Sequence, residues 1–262
     1  MIEKYSVYLK TFKKYSYLLS LLVKKDIKKK YKGSVLGIIW SFVNPLLNMI
    51  ILSFVFSTLF KGTIDNLPVY ILSGLLLFSF FSLSTTSGMT SIIASEHLIK
   101  KIYIPKYIIT ISTIISNFVF FLISLLVLLV VMLTSGTEIT PYILYSPIYL
   151  GLLFVFCAGI SLLLAAGTVF FRDIEHIYSI LITALMYSSA IFYPSEIIPG
   201  KYKFLLDWNP VYHFIHGFRT VVYYGQPLDM QNLLICVVMA CISLLIGVLV
   251  FERNQNKFIF HI

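Results

Sequence analysis

His213 and His216 come closest to the spacing of a chemical site. Three positions apart, they would share one face of a helix and could bind one metal ion. Catalytic zinc requires a third protein ligand, and none is clearly placed. Cys157, Cys236 and Cys241 all lie inside apolar runs, without the spacing of a disulfide framework or a zinc site. The histidines are therefore predicted to pack or to form hydrogen bonds, and no metal site is predicted.

The sequence also lacks the motifs of nucleotide hydrolysis and of sugar transfer. The Gly-Lys pair Gly200-Lys201 is followed by Tyr202, which does not fit a phosphate-binding loop, and no D-x-D carboxylate pair occurs. Arg172 and Asp173 are better explained as a headgroup anchor and a helix cap than as a catalytic pair. We therefore predict a non-catalytic chain without bound cofactor, so that any ATP and Mg²⁺ used for uphill transport would belong to a partner subunit.

The composition indicates that lipid is the solvent for much of the chain. Hydrophobic residues make up 59% of the 262 residues, charged residues 12%, and the mean hydropathy is +0.92. A soluble domain carries about 25% charged residues. The net charge of +9 is predicted to set membrane topology and to attract anionic lipid, rather than to bind nucleic acid.

Apolar runs predict an all-α polytopic membrane protein with six transmembrane helices. A spanning helix needs about 20 apolar residues, and Pro141 and Pro147 shorten the fourth run. No ionisable residue lies at the centre of any run, which argues against proton-coupled or sodium-coupled transport. The predicted spans cover residues 34–60, 68–90, 107–133, 148–171, 175–193 and 231–251.

The basic residues predict the orientation of these spans. Six spans put both termini on one side of the membrane, and that side carries sixteen of the twenty Lys and Arg residues. Cations are retained on the cytoplasmic side. Both termini are therefore predicted to be cytoplasmic, in the inner membrane of the cell.

Residues 15–32 have the pattern of an amphipathic helix. Leu19, Val23, Ile27 and Tyr31 follow a four-residue spacing. Such a helix could lie in the headgroup plane, or its cations could simply anchor the chain by the positive-inside rule, and the two roles are compatible. The cations of the opposite face include Lys24, Lys25, Lys28 and Lys29.

Two further segments outside the spans have distinctive sequences. The cytoplasmic loop 91–106 is long enough for a short surface helix, although its spacing alone favours a solvated connector. The external segment 194–228 holds four prolines and many aromatic residues, so it is too broken for a span and too apolar for a solvated loop. Short re-entrant helices and an interfacial aromatic belt are equally good explanations of that segment.

Several short motifs, in order along nearly the whole chain, resemble the ABC-2 type permeases that export cell-surface polysaccharides. The set is more specific than any single piece, and permeases for O-antigen are the best match, with teichoic-acid and capsule exporters as close siblings. The matching residues are Lys30, Tyr31, Ser34, Leu36-Gly37, Trp40 and Pro45, then Phe171 to Ile174, Tyr193-Pro194, Ile198-Pro199, Asn209-Pro210 and Arg219.

This resemblance implies a homodimer of six-span subunits docked on two copies of a separate ATPase, with a lipid-linked polysaccharide as substrate. It also implies that the helix at 15–32 touches that ATPase and that segment 194–228 forms an external gate. The ATPase would grip a coupling helix at 95–101, comprising Ser95, Glu96, His97, Leu98, Lys100 and Lys101.

A glycan conduit would be expected to be aromatic and poor in charge. Sugars stack their C–H faces on aromatic rings through many weak contacts, which permits sliding. An exporter of a small lipid or drug and a non-transporting membrane scaffold or enzyme are the alternative functions. The predicted pathway or gate residues are Trp40, Phe78, Phe81, Tyr187, Tyr193 and Tyr212.

Overall fold

The computed structural model of the protein describes residues 15–57, 64–102 and 104–261, without the side chain of Tyr31. Within these ranges the chain forms α-helices, short 3-10 helices and turns, and no β-strand. The predicted all-α class is therefore confirmed. Residues 58–60, which end the first predicted span, lie outside the described part. So does the side chain of Tyr31, which belongs to the predicted amphipathic pattern of residues 15–32.

The described residues form ten α-helices and several short 3-10 helices. Short 3-10 helices precede α2 at Gly37–Ile39 and α6 at Pro141–Tyr145, and another follows α10 at Gln255–Phe260. The α-helices are α1 (Ser16–Tyr31), α2 (Trp40–Ser57), α3 (Leu67–Ala94), α4 (Glu96–Lys101), α5 (Tyr107–Thr134), α6 (Ser146–Phe170), α7 (Ile174–Tyr187), α8 (Phe204–Asp207), α9 (Pro210–Val222) and α10 (Met230–Asn254).

Five helical segments in the described ranges are long and apolar enough to cross a membrane, so the chain is a multi-pass membrane protein. They contain α2, α3, α5, α6 and α10. The predicted fifth span differs, because α7 has only 14 residues, or about 21 Å at 1.5 Å per residue. The hydrocarbon core is about 30 Å thick. Residues 188–193, which had been counted as part of the span, form turns instead.

Helix α3 lies at the centre of the subunit. It packs against α2, α5, α6 and α9, and 67% of its most apolar stretch is buried. Helices α6 and α10 form another close pair, because a Cβ atom at Gly159 would collide with the backbone of Ser243 and one at Gly247 with the Gly159 carbonyl. Small residues allow such approach between membrane helices, where packing rather than the hydrophobic effect drives association.

One end of the bundle, here called the Lys-rich end, gathers α1, α4 and the C-terminal 3-10 helix. Leu22 of α1 clusters with Ile104 and Ile108. Ile99 of α4 belongs to a second cluster that includes Phe258 of the C-terminal 3-10 helix. Both ends of the described chain therefore lie at the same end of the bundle.

The other end, here called the opposite end, gathers the connections between the remaining helices. The Tyr70 hydroxyl donates to the carbonyls of Ala190 and Tyr193, and the Tyr223 hydroxyl donates to the carbonyl of Asp65. These bonds join the start of α3 to the turns after α7 and to the end of α9. The opposite end is thus fixed by polar contacts between segments far apart in sequence.

Candidate functional site

Helix α4 coincides with the predicted coupling helix and is held by its apolar side. Ile99 is 9% exposed in its cluster, and Leu98 packs against the cluster of Leu22. Ser95 occupies the N-cap position but makes no capping hydrogen bond. The remaining predicted coupling residues lie on the outer side: Glu96 is partly exposed, and His97, Lys100 and Lys101 are exposed.

A surface ion pair connects two of these residues. The Lys100 ammonium donates to a Glu96 carboxylate oxygen at 2.6 Å, one helical turn away. The hydrogen bond and the charge of Lys100 lower the pKa of Glu96, and the nearby charges of His97 and Arg172 act in the same direction. Arg172 is exposed in the turn between α6 and α7. Asp173 occupies the predicted N-cap position of α7, but its side chain makes no capping hydrogen bond.

The charges of α1 lie where the amphipathic pattern predicted. Lys24, Lys25, Lys28 and Lys29 are all exposed, whereas Leu22 is buried. Helix α1 packs against α5. The lysines and the exposed side of α4 therefore form a basic surface at the Lys-rich end.

The last turn of α1 borders a cavity of about 570 Å³ between α2, α3 and α5. Lys30 lies 4.0 Å above the Phe120 ring beside this cavity. Trp40, which is 39% exposed, belongs to its lining. Its polar lining also includes Ser34, Ser41, Asn44, Asn48, Ser79, Asn117 and Ser124.

The predicted pathway aromatics separate into two groups. Phe78 and Phe81 are 4% and 2% exposed, and Phe81 stacks on Phe156 inside the subunit. They are core side chains of α3, so the prediction that they line a conduit requires correction. The sequence could not separate them from exposed rings because both kinds are apolar.

The other predicted aromatics are accessible. Tyr187 is 61% exposed at the end of α7, and the Tyr193 hydroxyl donates to its carbonyl. Tyr212 is partly exposed on α9 and borders a cavity at the opposite end. Trp40 lies at the other side of the bundle, so the structure does not bring the candidate aromatics into one cluster within a subunit.

The predicted external region, 194–228, contains short helices, of which α9 is the longest. Asn209 starts α9 by accepting bonds from the amides of Val211 and Tyr212. Its side-chain amide also donates to the hydroxyls of Ser188 and Ser189 at 2.9 Å. One side chain therefore caps α9 and fixes it to the turn after α7, which positions the region.

Sequence reasoning missed the buried charge of Arg219. Counted there as an external cation, it is 3% exposed in the structure. Its guanidinium donates to the carbonyls of Tyr70, Ala190 and Ile191 at 2.8–3.0 Å and to the Ser73 hydroxyl at 3.3 Å. Arg219 was part of the motif that matched the permease family, and that match was the only signal of its importance.

Arg219 connects three elements of the opposite end. It extends from α9 to the first turns of α3 and lies 3.6 Å from the Tyr70 ring centre, a cation–π geometry. Its partner Ala190 has a φ of 49°, a left-handed conformation that costs an alanine about 1–2 kcal/mol. The bond from Arg219 therefore supports a strained turn between α7 and segment 194–228.

His213 has a structural role. Its Nε2 lies 2.9 Å from the Asp207 carbonyl, and its Nδ1 lies 3.4 Å from the side-chain amide of Asn232. Both ring nitrogens are thus engaged, in agreement with the predicted hydrogen-bonding role. Over the described ranges, no group of three His, Cys, Asp or Glu residues could hold a metal ion.

Comparison with known proteins extends over most of the chain. The profile of the family described as "ABC-2 type transporter" matches residues 17–223. The O-antigen export system permease protein RfbA of Klebsiella pneumoniae is 30% identical over 242 residues, covering 92% of this chain and 93% of the relative. RfbA of Myxococcus xanthus is 28% identical over 93% of this chain and 95% of its own length.

A further relative has a different named cargo. The polysialic acid transport protein KpsM of Escherichia coli is 25% identical over 238 residues, covering 88% of this chain and 91% of the relative. The matched region includes nearly all of α1, the spanning helices α2, α3, α5 and α6, and also α7 and α9, whereas the spanning helix α10 follows it. This chain belongs to the ABC-2 type transporter family.

Proposed function

We propose that this chain is the permease subunit of an ATP-driven exporter that moves a lipid-linked cell-surface polysaccharide across the cytoplasmic membrane. An O-antigen is the favoured cargo, because relatives named as O-antigen export permeases match more than nine-tenths of the chain. The energy would come from two copies of a separate ATPase, which would bind the ATP and Mg²⁺.

The observation that carries this proposal is the exposure of α2. Only 6% of its most apolar stretch is buried, and Asn44 and Asn48 lie exposed on it beside the polar cavity. Polar groups facing hydrocarbon are costly, so such residues in spanning helices face protein or a water-filled space. A second copy of this chain, facing α2 across a hydrated conduit, would satisfy both the apolar and the amide side chains.

The proposed ATPase site is the basic surface at the Lys-rich end. Helix α4 is anchored by Ile99 and Leu98 to the membrane bundle, so force applied to its exposed residues would pass directly to α3 and α5. We assign this end to the cytoplasm by the positive-inside rule. Both chain termini would then be cytoplasmic.

The test of the function is deletion of the gene followed by analysis of both membrane leaflets. We expect undecaprenyl-linked glycan to accumulate inside the cell while the surface loses it, and the wild-type gene to restore display. Unchanged surface glycan in the deletion strain would refute the proposal. A control deletion of the ATPase gene should give the same phenotype as loss of the permease.

The likeness to KpsM supports a second candidate cargo, an anionic capsule polymer, with teichoic acid in the same chemical class. Analysis of the accumulated material by anion-exchange chromatography separates these cargoes from a neutral O-antigen. Export of a small lipid or drug predicts that no glycan accumulates. A partner ATPase with an additional glycan-binding domain would favour a polysaccharide.

A further inference from the structure

The opposite end of the subunit contains two adjoining cavities. Their volumes are about 560 and 520 Å³, within the range of sites for small molecules. Tyr70, Glu196 and Tyr224 border both cavities. The two cavities are therefore neighbours, and together they are called here the tyrosine cleft.

The tyrosine cleft lies where four connections of the chain meet. Asp65 precedes α3, residues 136–140 connect α5 to α6, Glu196 follows α7, and residues 223–229 connect α9 to α10. Two contacts close the floor of the cleft: Tyr70 and Tyr223 pack edge to face at 5.5 Å, and the Tyr223 hydroxyl bonds the Asp65 carbonyl. The cleft is therefore built from fixed segments rather than from one isolated loop.

Aromatic rings form one part of the lining of the tyrosine cleft. Tyr224 is 50% exposed, and Tyr212 and Tyr223 are partly exposed at its walls. Tyr223 and Tyr224 meet edge to face at 4.8 Å, so their faces point in different directions. An interfacial belt would place tyrosines on the lipid surface, whereas these rings border a cavity.

Carboxylates form the other half. Asp65, Glu138, Glu196 and Asp229 all belong to the lining, and no exposed Lys or Arg among the described residues joins them there. The cationic member of the lining is the buried Arg219, whose guanidinium already donates to backbone carbonyls. The accessible charge of the cleft is therefore negative.

This combination selects a particular class of ligand. Carboxylates accept hydrogen bonds from sugar hydroxyls, and bonds to a charged group are about twice as strong as neutral ones. Tyrosine faces pack against the apolar C–H faces of sugar rings. A polyanion would be repelled by the uncompensated carboxylates, so the favoured ligand is a neutral glycan.

We propose that the tyrosine cleft binds neutral sugar residues of the exported chain at the outer face of the membrane. This inference rests on the proposed function, because it takes the cargo to be a polysaccharide and the opposite end to face outward. With one such site on each subunit, the emerging polysaccharide would stay bound at the outer face while the rest of it moves through the conduit.

The test measures glycan binding by the full-length protein in lipid nanodiscs. The probe is polysaccharide released by mild acid from cells that express this chain, and polysialic acid is the anionic comparison. We expect saturation-transfer NMR to detect the neutral probe and not polysialic acid. Binding of polysialic acid with equal or greater affinity would overturn the proposal, as would binding of Ca²⁺ without glycan.

Matched variants assign the binding to the cleft. The double variant Glu138→Gln and Glu196→Gln keeps the shape and removes two exposed charges, and it should weaken neutral-probe binding about tenfold, equivalent to about one charge-assisted hydrogen bond. Tyr224→Ala should weaken binding by removing a stacking face. Asp207→Asn removes an external carboxylate outside both cavities and should leave binding unchanged.

Transport by the same variants distinguishes the two proposals. If wild-type cells display glycan while the double variant and Tyr224→Ala bind the probe and export like wild type, the cleft proposal is wrong and the proposed function stands. If wild-type protein with its ATPase moves no glycan, the proposed function itself fails. Melting temperatures close to that of wild type are required of each variant, and Glu138→Gln alone, at an exposed loop residue, provides a second variant that should fold.

Discussion

Helices α2 and α3 are consecutive and equally hydrophobic, yet α3 is mostly buried and α2 is mostly exposed. Buried residues make up 67% of the most apolar stretch of α3 and 6% of that of α2. Helix α3 is central and packs against several other helices, whereas apolar residues of α2 such as Ile51 and Phe54 are exposed. The polar residues of the two helices differ in the same way. Asn44 and Asn48 of α2 face outward, whereas Ser73, Ser84 and Thr85 of α3 are fully buried. Hydropathy thus identifies a membrane helix without telling whether protein, lipid or a conduit surrounds it.

The largest expected effect comes from Arg219, which covers the first turns of α3. Arg219→Leu would leave the Ile191 carbonyl without its donor. It would also remove the charged donor from the carbonyls of Tyr70 and Ala190, which would keep only the weaker bonds from the hydroxyls of Ser73 and Tyr70. A hydrogen bond to a charged group contributes about 1.5–3 kcal/mol, and the unsatisfied Ile191 carbonyl adds its own cost, so the variant should lose more than about 3 kcal/mol of stability. The melting temperature in detergent and the monodisperse yield measure this loss.

Arg219→Lys is the matched control, because it keeps the charge but not the planar fork of donors. We expect it to fall between wild type and Arg219→Leu. A Leu variant that melts like wild type would show that the Arg219 bonds do not hold α9 against α3.

The next effect concerns the packing of α3 against α6. A Cβ atom at Gly88 would lie 2.6 Å from the Cβ of Ser161, and the Ser161 hydroxyl donates to the Ser84 carbonyl. Gly88→Ala should therefore separate the helices and cost about 1–3 kcal/mol. Gly151→Ala on α6, where nothing lies within 4 Å, should be neutral in the same melting experiment. Equal melting of the two variants would contradict close packing at Gly88.

Much of the helix arrangement could be predicted from the hydrophobic runs of the sequence. Where the prediction failed, a contact between residues far apart in sequence was the cause. The predicted span 107–133 agrees with α5 (Tyr107–Thr134), and 231–251 falls within α10 (Met230–Asn254). The run 177–193 contains no charged residue, but the chain turns at Ala190, where Arg219 supplies a tertiary hydrogen bond. A contact between residues 29 positions apart leaves no trace in local periodicity.

The candidate site also has features that the sequence predicted and features that it did not. The basic face of α1 was predictable, because charges beside an apolar stripe mark a surface helix. Helix α4 was expected only from the resemblance to the permease family, since its spacing alone favoured a solvated connector. The burial of Phe78 and Phe81 was not, since lipid-facing and core positions of a membrane helix are both apolar. Arg219 was misassigned because a buried guanidinium satisfied by carbonyls has no characteristic sequence pattern.

A third prediction tests α2, which is the exposed helix of the pair α2 and α3. Replacing Asn44 and Asn48 together by Leu should change the stability of the subunit by no more than about 0.5 kcal/mol, because neither side chain is buried. Surface display of glycan should nevertheless fall, since the hydrated face of α2 would become apolar. The readouts are melting temperature and surface glycan, with Ile50→Leu on α2 as the control. Normal export by the double variant would remove the evidence that α2 lines a conduit.

The smallest effect on stability is expected at Glu96 and Lys100, where the ion pair is exposed and contributes little to folding. Since Lys100 lowers the pKa of Glu96, the small stabilisation persists at neutral pH and is lost only as the pH falls through that lowered pKa. Replacing both residues by Ala should leave melting unchanged but weaken copurification of the ATPase and reduce export.

The charge-swapped pair, Glu96→Lys with Lys100→Glu, separates two causes: it keeps an ion pair on α4 but reverses the charges offered to the partner. If docking depends on those charges, the swap fails like the Ala pair; if the swap restores docking, the ion pair only maintains the helix. Full association and export by the Ala pair would show that α4 does not couple through these residues.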